Sequence, residues 1–189
     1  MTISRAATGG LSTALLGSLL LPAALLTASA AHAQAPPFSV SDAQQLELLK
    51  SADPKLARNK KFVYDFWRTV FEGGHMEEAP KYMEEGYIQH NPNVVSGRAA
   101  FIATIGKVRQ PQPVVDHIKV PVVTITAERN MVLVSSVRKM RDPKDPNHLY
   151  YITWFDMFRI GDDGLIAEHW DSSDLWVNGH PPGFEFLPK

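Results

Sequence analysis

The chain has 189 residues and contains no cysteine. This absence excludes disulfide bonds, thiolate zinc sites, cysteine nucleophiles and thiol redox chemistry, so the fold is held by its core alone. The chain also lacks an excess of one charge, because 19 Lys and Arg residues face 20 Asp and Glu residues and give a formal net charge of −1. Nucleic-acid-binding domains normally carry a basic excess, so we expect no nucleic acid as a partner.

The first 33 residues have the pattern of a secretory signal peptide. Arg5 precedes an uncharged apolar run from Leu11 to Leu26, and an Ala-His-Ala sequence ends the segment. A membrane-spanning helix is the alternative interpretation, but Gly17, Pro22 and the small residues at the end favour cleavage. We therefore expect removal of residues 1–33, a periplasmic or secreted location and no membrane association of the mature protein.

The part that remains, residues 34–189, has the size of one domain. It is 156 residues long, and since the removed segment carries only one charged residue, Arg5, the remainder has a formal net charge of −2. A chain of this length buries roughly 70% of its unfolded surface, which suffices for a core without disulfides. We expect a leader with a short helix at 34–54, a domain at 55–177 and a surface tail at 178–189.

Helical patterns dominate the first half of this domain. The best-defined helix has Asp53 as its N-cap and Pro54 at its first position, and the pair Gly73-Gly74 ends it. The periodicity predicts further helices at 41–50, 76–85 and 98–108, with a short strand at 87–90.

The second half changes to strand patterns. Runs of β-branched and aromatic residues separated by turn signals predict strands at 114–127, 131–141, 149–160 and 165–175. Pro121 inside the first run indicates a bulge or an edge position. Helices followed by an antiparallel meander predict an α+β fold with the helices on one face of a curved sheet.

The turn at 161–164 allows the pairing of the last two strands to be predicted. If the strands pair symmetrically about this turn, Asp156 lies opposite His169. The same rule places Trp154 opposite Asp171, whereas a bulge in the hairpin would change both pairs. Because side chains alternate along a strand, all four side chains are expected on one face of the sheet.

This face combines two carboxylates and an imidazole with large apolar side chains. In such surroundings desolvation and mutual interaction move the pKa values apart, which proton transfer requires. One Asp can fix the tautomer of His169 while the other acts as base or acid. The alternative is a buried ion pair without a catalytic role, or an exposed face with ordinary polar residues. No two His residues stand at i and i+4, so local metal-ligand spacing is absent, and a metal site assembled from distant positions stays open.

Two segments resemble a known family. The first segment runs from Lys81-Tyr82-Met83 to Tyr87-Ile88-Gln89-His90-Asn91-Pro92 and is followed by Gly97. The second runs from Phe155-Asp156-Met157-Phe158-Arg159-Ile160 to Ile166-Ala167-Glu168-His169-Trp170-Asp171. Together they are similar to the SnoaL-like polyketide cyclase branch of the nuclear-transport-factor-2-like (NTF2-like) superfamily. The likeness extends over nearly all of residues 55–177.

The resemblance implies a fold and a chemistry. The fold is an α+β, cone-shaped NTF2-like barrel, with N-terminal helices packed on a strongly curved antiparallel sheet, a deep pocket between them and usually a homodimer. The chemistry is an intramolecular aldol condensation without cofactor or metal, in which an Asp is the general acid/base and His residues support it.

By motif position, the resemblance implies Asp171 as the catalytic acid/base, with Asp174 as the alternative. His169 and His90 are the supporting imidazoles, and Asp156 lies across the hairpin. The expected apolar walls of the pocket are Trp154, Phe158, Phe66 and Trp67. The resulting hypothesis is a cofactor-independent acid–base enzyme, of cyclase or isomerase type, that acts on a small hydrophobic carbonyl compound. The alternative is a periplasmic protein that binds a hydrophobic ligand without transforming it.

Overall fold

The computed structural model describes residues 38–142, 144, 145 and 147–173. The predicted signal peptide, the predicted C-terminal tail and Asp174 lie outside these residues. No helix in the described part of the chain is long and apolar enough to cross a membrane. In chain order the elements are α1 (Asp42–Leu48), α2 (Pro54–Phe66), a π-helical segment (Trp67–Glu72), a 3-10 helix (Met76–Lys81), β1 (Met83–Gln89), α3 (Arg98–Val108), β2 (Val122–Glu128), β3 (Met131–Arg141), β4 (Leu149–Ile160) and β5 (Ile166–Asp171).

The ends of α2 follow from its sequence. Asp53 accepts a hydrogen bond from the backbone N of Lys55 at 2.7 Å, and Pro54 occupies the first helical position, where a backbone N–H is not needed. The helix continues through the π-helical segment up to the glycine pair. Gly74 has a φ of +73°, a conformation that glycine adopts without strain.

The predicted helix at 76–85 is wrong in its second half. A 3-10 helix ends at Lys81, and β1 begins at Met83, before the strand start expected at 87. Pro80 prevents a regular α-helix here because it lacks a backbone N–H. Met83 and Tyr87 are both fully buried on the same side of β1, so burial of the strand prevails over the local helical pattern.

The sheet is mixed, with the strand order β1-β5-β4-β3-β2. The predicted antiparallel meander is present from β2 to β5, but β1 pairs with β5 in parallel. The expectation of a wholly antiparallel sheet is therefore wrong at one edge. Alternation along a strand gives no information on the direction of a neighbour that is distant in sequence, so the pattern of residues did not contain this pairing.

Strand β2 forms the other edge of the sheet and is shorter than predicted. It begins directly after Pro121, and its register with β3 shifts between Val122 and Thr124. Both features agree with the role of a proline at an edge. The α+β fold class is confirmed, since the helices pack on one face of this sheet around a core that includes Phe66, Trp67, Val70 and Phe101.

Helix α1 is bound to the domain through one buried amide. Gln45 is 1% exposed, and its Nε2 donates to the carbonyl oxygen of Ile118 at 2.9 Å. Its Oε1 accepts hydrogen bonds from Ile118 N at 2.9 Å and from the hydroxyl of Tyr64 at 3.1 Å. Residues assigned to a leader from the sequence thus contribute to the folded unit.

Candidate functional site

A cavity lies between the helices and the inner face of the sheet. Its walls are mainly apolar, and the four predicted wall residues Phe66, Trp67, Trp154 and Phe158 all line it. Their contact with a substrate stays a prediction. The polar and charged residues of the lining include Tyr87, Gln89, Asn91, Arg109, Arg138, Asp156, His169 and Asp171.

The pairing of β4 with β5 differs by two residues from the predicted one. Asp156 lies opposite Asp171, and Phe158 lies opposite His169. The register shifts between Arg159 and Ile160, close to the turn. The predicted pairs are therefore wrong because the hairpin contains an irregularity, the exception allowed for at the outset. Side chains alternate along a strand with a period of two, so a shift by two residues leaves the same side chains on the cavity face.

His169 and Asp156 form a buried pair on this face. Nε2 of His169 lies 3.2 Å from Oδ1 of Asp156, although the two residues are not directly opposite each other. The imidazole stacks on the ring of Phe158 with a centroid separation of 4.5 Å. Both side chains are almost completely buried, which fixes the plane of the imidazole.

The side-chain amide of Gln89 holds the other imidazole nitrogen. Nε2 of Gln89 lies 2.9 Å from Nδ1 of His169, and Oε1 of Gln89 accepts from the backbone N of Asn91 at 3.1 Å. This second contact orients the amide so that Nε2 is the donor toward the imidazole. With Nε2 of Gln89 as the donor, Nδ1 of His169 accepts and Nε2 of His169 donates to Asp156. Gln89 Nε2 also donates to the hydroxyl of Tyr87 at 3.2 Å.

Asp171 is the half-buried carboxylate of the site. Its Oδ1 accepts a hydrogen bond from Nδ2 of Asn91 at 2.7 Å. Burial raises the pKa of Asp171, and the nearby Asp156 adds to this, while His169, Asn91 and Arg138 oppose it. A carboxylate with a raised pKa is a stronger base once it is ionised, which suits it to take a proton from carbon.

Arg138 provides positive charge beside the two carboxylates. Its Nη2 lies 3.5 Å from Oδ2 of Asp156, and its guanidinium carbon lies 4.0 Å from the ring centroid of Trp154. Oδ2 of Asp156 accepts no hydrogen bond from the described residues, and Arg138 is its ion-pair partner. Burial lowers the pKa of Arg138, whereas Asp156 and Asp171 raise it.

His90 lies on the opposite face of the sheet. Its Nε2 is 2.8 Å from Oε2 of Glu168, and its ring stacks on Trp170 at 4.3 Å with an angle of 3° between the planes. The residue does not belong to the cavity lining. The structure therefore does not bring His90 to the cavity with the other predicted site residues; Gln89 and Asn91 on either side of it line the cavity instead.

The sequence interpretation missed several polar residues of the cavity. Tyr87 and Gln89 follow the alternation of β1, and Asn91 lies two residues beyond its end. The sequence signal for the first two was therefore their spacing of two residues. Arg138 pairs with Ile152 in the β3–β4 ladder, so its face also follows from alternation. Arg109 stands just after the end of α3, where no periodic pattern indicates a direction.

Three residues of the site could together hold a metal ion. Ligand atoms of Asp156, His169 and Asp171 lie within 4.8 Å of one another, and carboxylates with an imidazole suit a divalent cation. The arrangement fits a cation poorly, however, because Nε2 of His169 is directly hydrogen-bonded to Asp156. The guanidinium of Arg138 also adds a positive charge beside Asp156. The same contacts suit proton transfer.

The fold and the site define a class of α+β protein whose helices and sheet enclose an apolar cavity with an Asp-His-Asp cluster. The SnoaL-like domain family matches residues 63–169, more than half of the chain. The chain belongs to this SnoaL-like family of the NTF2-like superfamily, as the sequence motifs predicted. No curated protein shows significant sequence similarity to the chain.

Solved structures with a similar fold have low sequence identity. A candidate polyketide cyclase from Acidithiobacillus ferrooxidans is 16% identical, with a TM-score of 0.45 over 65% of this chain and 90% of the other. IdmH, a candidate polyketide cyclase from Streptomyces antibioticus, is 16% identical, with a TM-score of 0.44 over 62% and 92%. An epoxide hydrolase of LEH-like type from M. tuberculosis is 12% identical, with a TM-score of 0.46 over 65% and 82%.

Proposed function

We propose that the protein is a cofactor-independent acid–base enzyme that acts on a small hydrophobic carbonyl compound, by aldol condensation or isomerisation. The observation that carries the proposal is a half-buried carboxylate with a raised pKa, Asp171, beside an oriented imidazole–carboxylate pair in an apolar cavity. Membership of the SnoaL-like family supports the same class of reaction.

Asp171 is the proposed base. Asn91 holds its Oδ1, and Oδ2 accepts no hydrogen bond from the described residues, which leaves that oxygen for a proton on the carbon next to the carbonyl. Removal of this proton gives an enolate, and its return to the same or another carbon completes an isomerisation. In an aldol reaction the enolate carbon instead attacks a second carbonyl carbon, and the new alkoxide takes up the proton that Asp171 removed, which returns Asp171 to its ionised form.

Tyr87 is the proposed donor to the carbonyl oxygen. Its hydroxyl oxygen already accepts from Gln89, and its own proton has no acceptor among the described residues. Burial raises the pKa of Tyr87, with Asp171 and Asp156 adding to this, so the hydroxyl stays protonated at neutral pH. Both nitrogens of His169 are hydrogen-bonded, so we assign His169 and Asp156 as positioning residues that hold the amide of Gln89 against Tyr87.

Export and dimerisation are further parts of this proposal. The N-terminal sequence pattern supports cleavage after Ala33 and a periplasmic or secreted mature protein. The homodimer is proposed from the resemblance to the family, and Phe155, 46% exposed on the face of the sheet away from the cavity, is a candidate contact in such a dimer. N-terminal sequencing and sedimentation of the exported protein test both points.

Deuterium exchange at α-carbons tests the chemistry. Mass spectrometry would follow exchange in a panel of cyclic ketones and β-dicarbonyl compounds with the wild-type protein, Asp171→Asn and Tyr87→Phe. Asp162→Asn is the matched control, because it removes an exposed carboxylate outside the cavity. We expect catalysed exchange in the wild type and the control, and its loss in Asp171→Asn.

Two results would contradict the proposal. Exchange no faster than in buffer across the panel, together with measurable binding of the same compounds, indicates the binding protein without catalysis. Exchange that persists unchanged in Asp171→Asn removes Asp171 from the mechanism. A normal exchange rate in Tyr87→Phe removes only the donor assignment.

A further inference from the structure

The side-chain amide of Asn91 has a fixed orientation. Its Oδ1 accepts hydrogen bonds from the backbone N of Asn93 at 2.8 Å and from Nδ2 of Asn93 at 2.9 Å. Because the oxygen is bound on that side, Nδ2 of Asn91 is the atom that lies 2.7 Å from Oδ1 of Asp171. The backbone N of Asn91 donates to Oε1 of Gln89 at 3.1 Å, so the residue is held through its backbone as well as through its side chain.

One N–H of this amide is not used within the described residues. Nδ2 of an asparagine carries two hydrogen atoms, and Oδ1 of Asp171 accepts one of them. The other has no acceptor in the part of the chain that the structure describes. Asn91 is 6% exposed and lines the cavity. A buried N–H normally has a partner, so this one favours a ligand that brings an acceptor atom into the cavity.

This N–H belongs to the group that holds the proposed base. In the proposed reaction Oδ2 of Asp171 takes a proton from the carbon next to a carbonyl, while Oδ1 of the same carboxylate is bound to Asn91. The carbonyl oxygen is attached to the adjacent carbon, so a ligand with its C–H group at Oδ2 brings that oxygen close to Nδ2 of Asn91. A donor in this position meets the oxygen on which negative charge develops.

We propose that Asn91 is a catalytic residue that donates its second N–H to the carbonyl oxygen of the substrate. When the proton moves from carbon to Oδ2 of Asp171, the electron pair of the C–H bond forms the enolate. The enolate oxygen accepts from Asn91 and from the hydroxyl of Tyr87, and donors held in place beforehand stabilise its charge without rearrangement. The inference rests on the proposed function, because it requires a carbonyl compound in the cavity.

Infrared spectroscopy of a bound ketone tests the inference without using turnover. The probe is cyclohexanone labelled with carbon-13 at its carbonyl carbon, added to the wild-type protein and to each variant. Hydrogen bonds to a carbonyl oxygen lower its stretching frequency, so we expect the bound band below its position in an apolar solvent. Asn91→Ala should move the band back toward that position, because the N–H donor is lost.

Asn93→Ala is the matched control and should leave the band in place. It removes a side chain from the same loop, while the backbone N of residue 93 still holds Oδ1 of Asn91. Asn91→Asp at pH 9 is the second variant, because its oxygen still accepts from Asn93 and its ionised side chain has no hydrogen to donate. We expect it to lose the band shift as Asn91→Ala does.

The rate of α-carbon exchange gives a second readout. Loss of one preorganised donor to a developing oxyanion lowers kcat by roughly 10²- to 10³-fold, and we expect this loss in Asn91→Ala. Asn93→Ala should keep most of the rate, since it leaves the donor and the base in place.

A band that both Asn91 variants leave unchanged would overturn the inference. An equal band shift in Asn93→Ala, or no band of bound ketone in the wild type, would overturn it as well. The outcome for the proposed function is separate. A band that depends on Asn91 without catalysed exchange supports the donor and contradicts the enzyme, whereas exchange that Asp171→Asn abolishes, with a band independent of Asn91, does the reverse.

Discussion

The two faces of the β4–β5 hairpin carry the same chemical group in different surroundings. On the cavity face His169 lies 3.2 Å from Asp156 and stacks on Phe158, and on the other face His90 lies 2.8 Å from Glu168 and stacks on an aromatic ring. The inner imidazole and carboxylate are 10% and 4% exposed, while the outer ones are 37% and 19% exposed. The contacts are alike, so burial and the cavity distinguish the two pairs.

The pKa values of the carboxylates on the two faces, Asp171 inside and Glu168 outside, are shifted in opposite directions. Burial raises the pKa of Asp171 on the inner face. The hydrogen bond from His90, with help from Arg159, lowers the pKa of Glu168 on the outer face. An imidazole beside a carboxylate therefore does not identify a catalytic site by itself. The inner face differs because its cavity also holds Asp171, a carboxylate whose pKa is raised by burial.

The largest effect is expected on turnover. Asp171→Asn should lower the rate of α-carbon exchange by roughly 10²- to 10⁴-fold, since the amide cannot take the proton. Glu168→Gln removes a carboxylate from the outer face and should leave the rate within about 2-fold, as expected for a change outside the site. Steady-state kinetics of both variants measures the contrast. Similar losses in the two variants would mean that the inner face has no special role.

The next effect is expected on stability. Asp156→Ala leaves His169 and the buried guanidinium of Arg138 without their shared partner and should lower the free energy of unfolding by about 2–4 kcal/mol. Glu168→Ala removes an ion pair that water can replace and should cost about 1 kcal/mol or less. Urea unfolding measures both variants, and equal losses would contradict the difference in burial.

The smallest effect is a change of stability with pH. Because its folded pKa is raised, Asp171 contributes stability that is full below its unfolded pKa and is lost as pH rises through its folded pKa. Glu168 has a lowered folded pKa, so its contribution is present above its unfolded pKa and is lost as pH falls through the folded one.

The two variants should therefore diverge in their melting temperatures relative to the wild type. The quantity compared is the melting temperature of the variant minus that of the wild type. From pH 4 to pH 7 it should become more positive for Asp171→Asn, because only the wild type loses the contribution of Asp171. It should become more negative for Glu168→Gln, because only the wild type gains the contribution of Glu168. Thermal unfolding at a series of pH values measures both slopes. Slopes of the same sign would contradict the opposite pKa directions.

Much of the architecture followed from local signals. The bounds of α3, β3 and β4 agree with the predicted 98–108, 131–141 and 149–160, because prolines, turn residues and a change of period mark them. The face shared by Asp156, His169 and Asp171 also followed, since alternation survives a register shift of two residues.

The remainder depends on contacts between distant segments. Neither the parallel pairing of β1 with β5 nor the register shift near Ile160 is marked by a local sequence pattern. His90 was assigned to the site because the family motif was read without the alternation of β1. That alternation places Gln89 in the cavity instead, and Asn91 beyond the strand end lines it too.

The most direct test of the central claim is a carbon-13 NMR titration of the side-chain carboxyl groups in the wild-type protein. Asp171→Asn and Glu168→Gln assign the two resonances of interest. We predict a pKa of Asp171 above the ordinary value for aspartate of about 3.9 and a pKa of Glu168 below the ordinary value for glutamate of about 4.3. A pKa of Asp171 at or below its ordinary value would contradict the account, because the inner face would then hold no better base than the outer one.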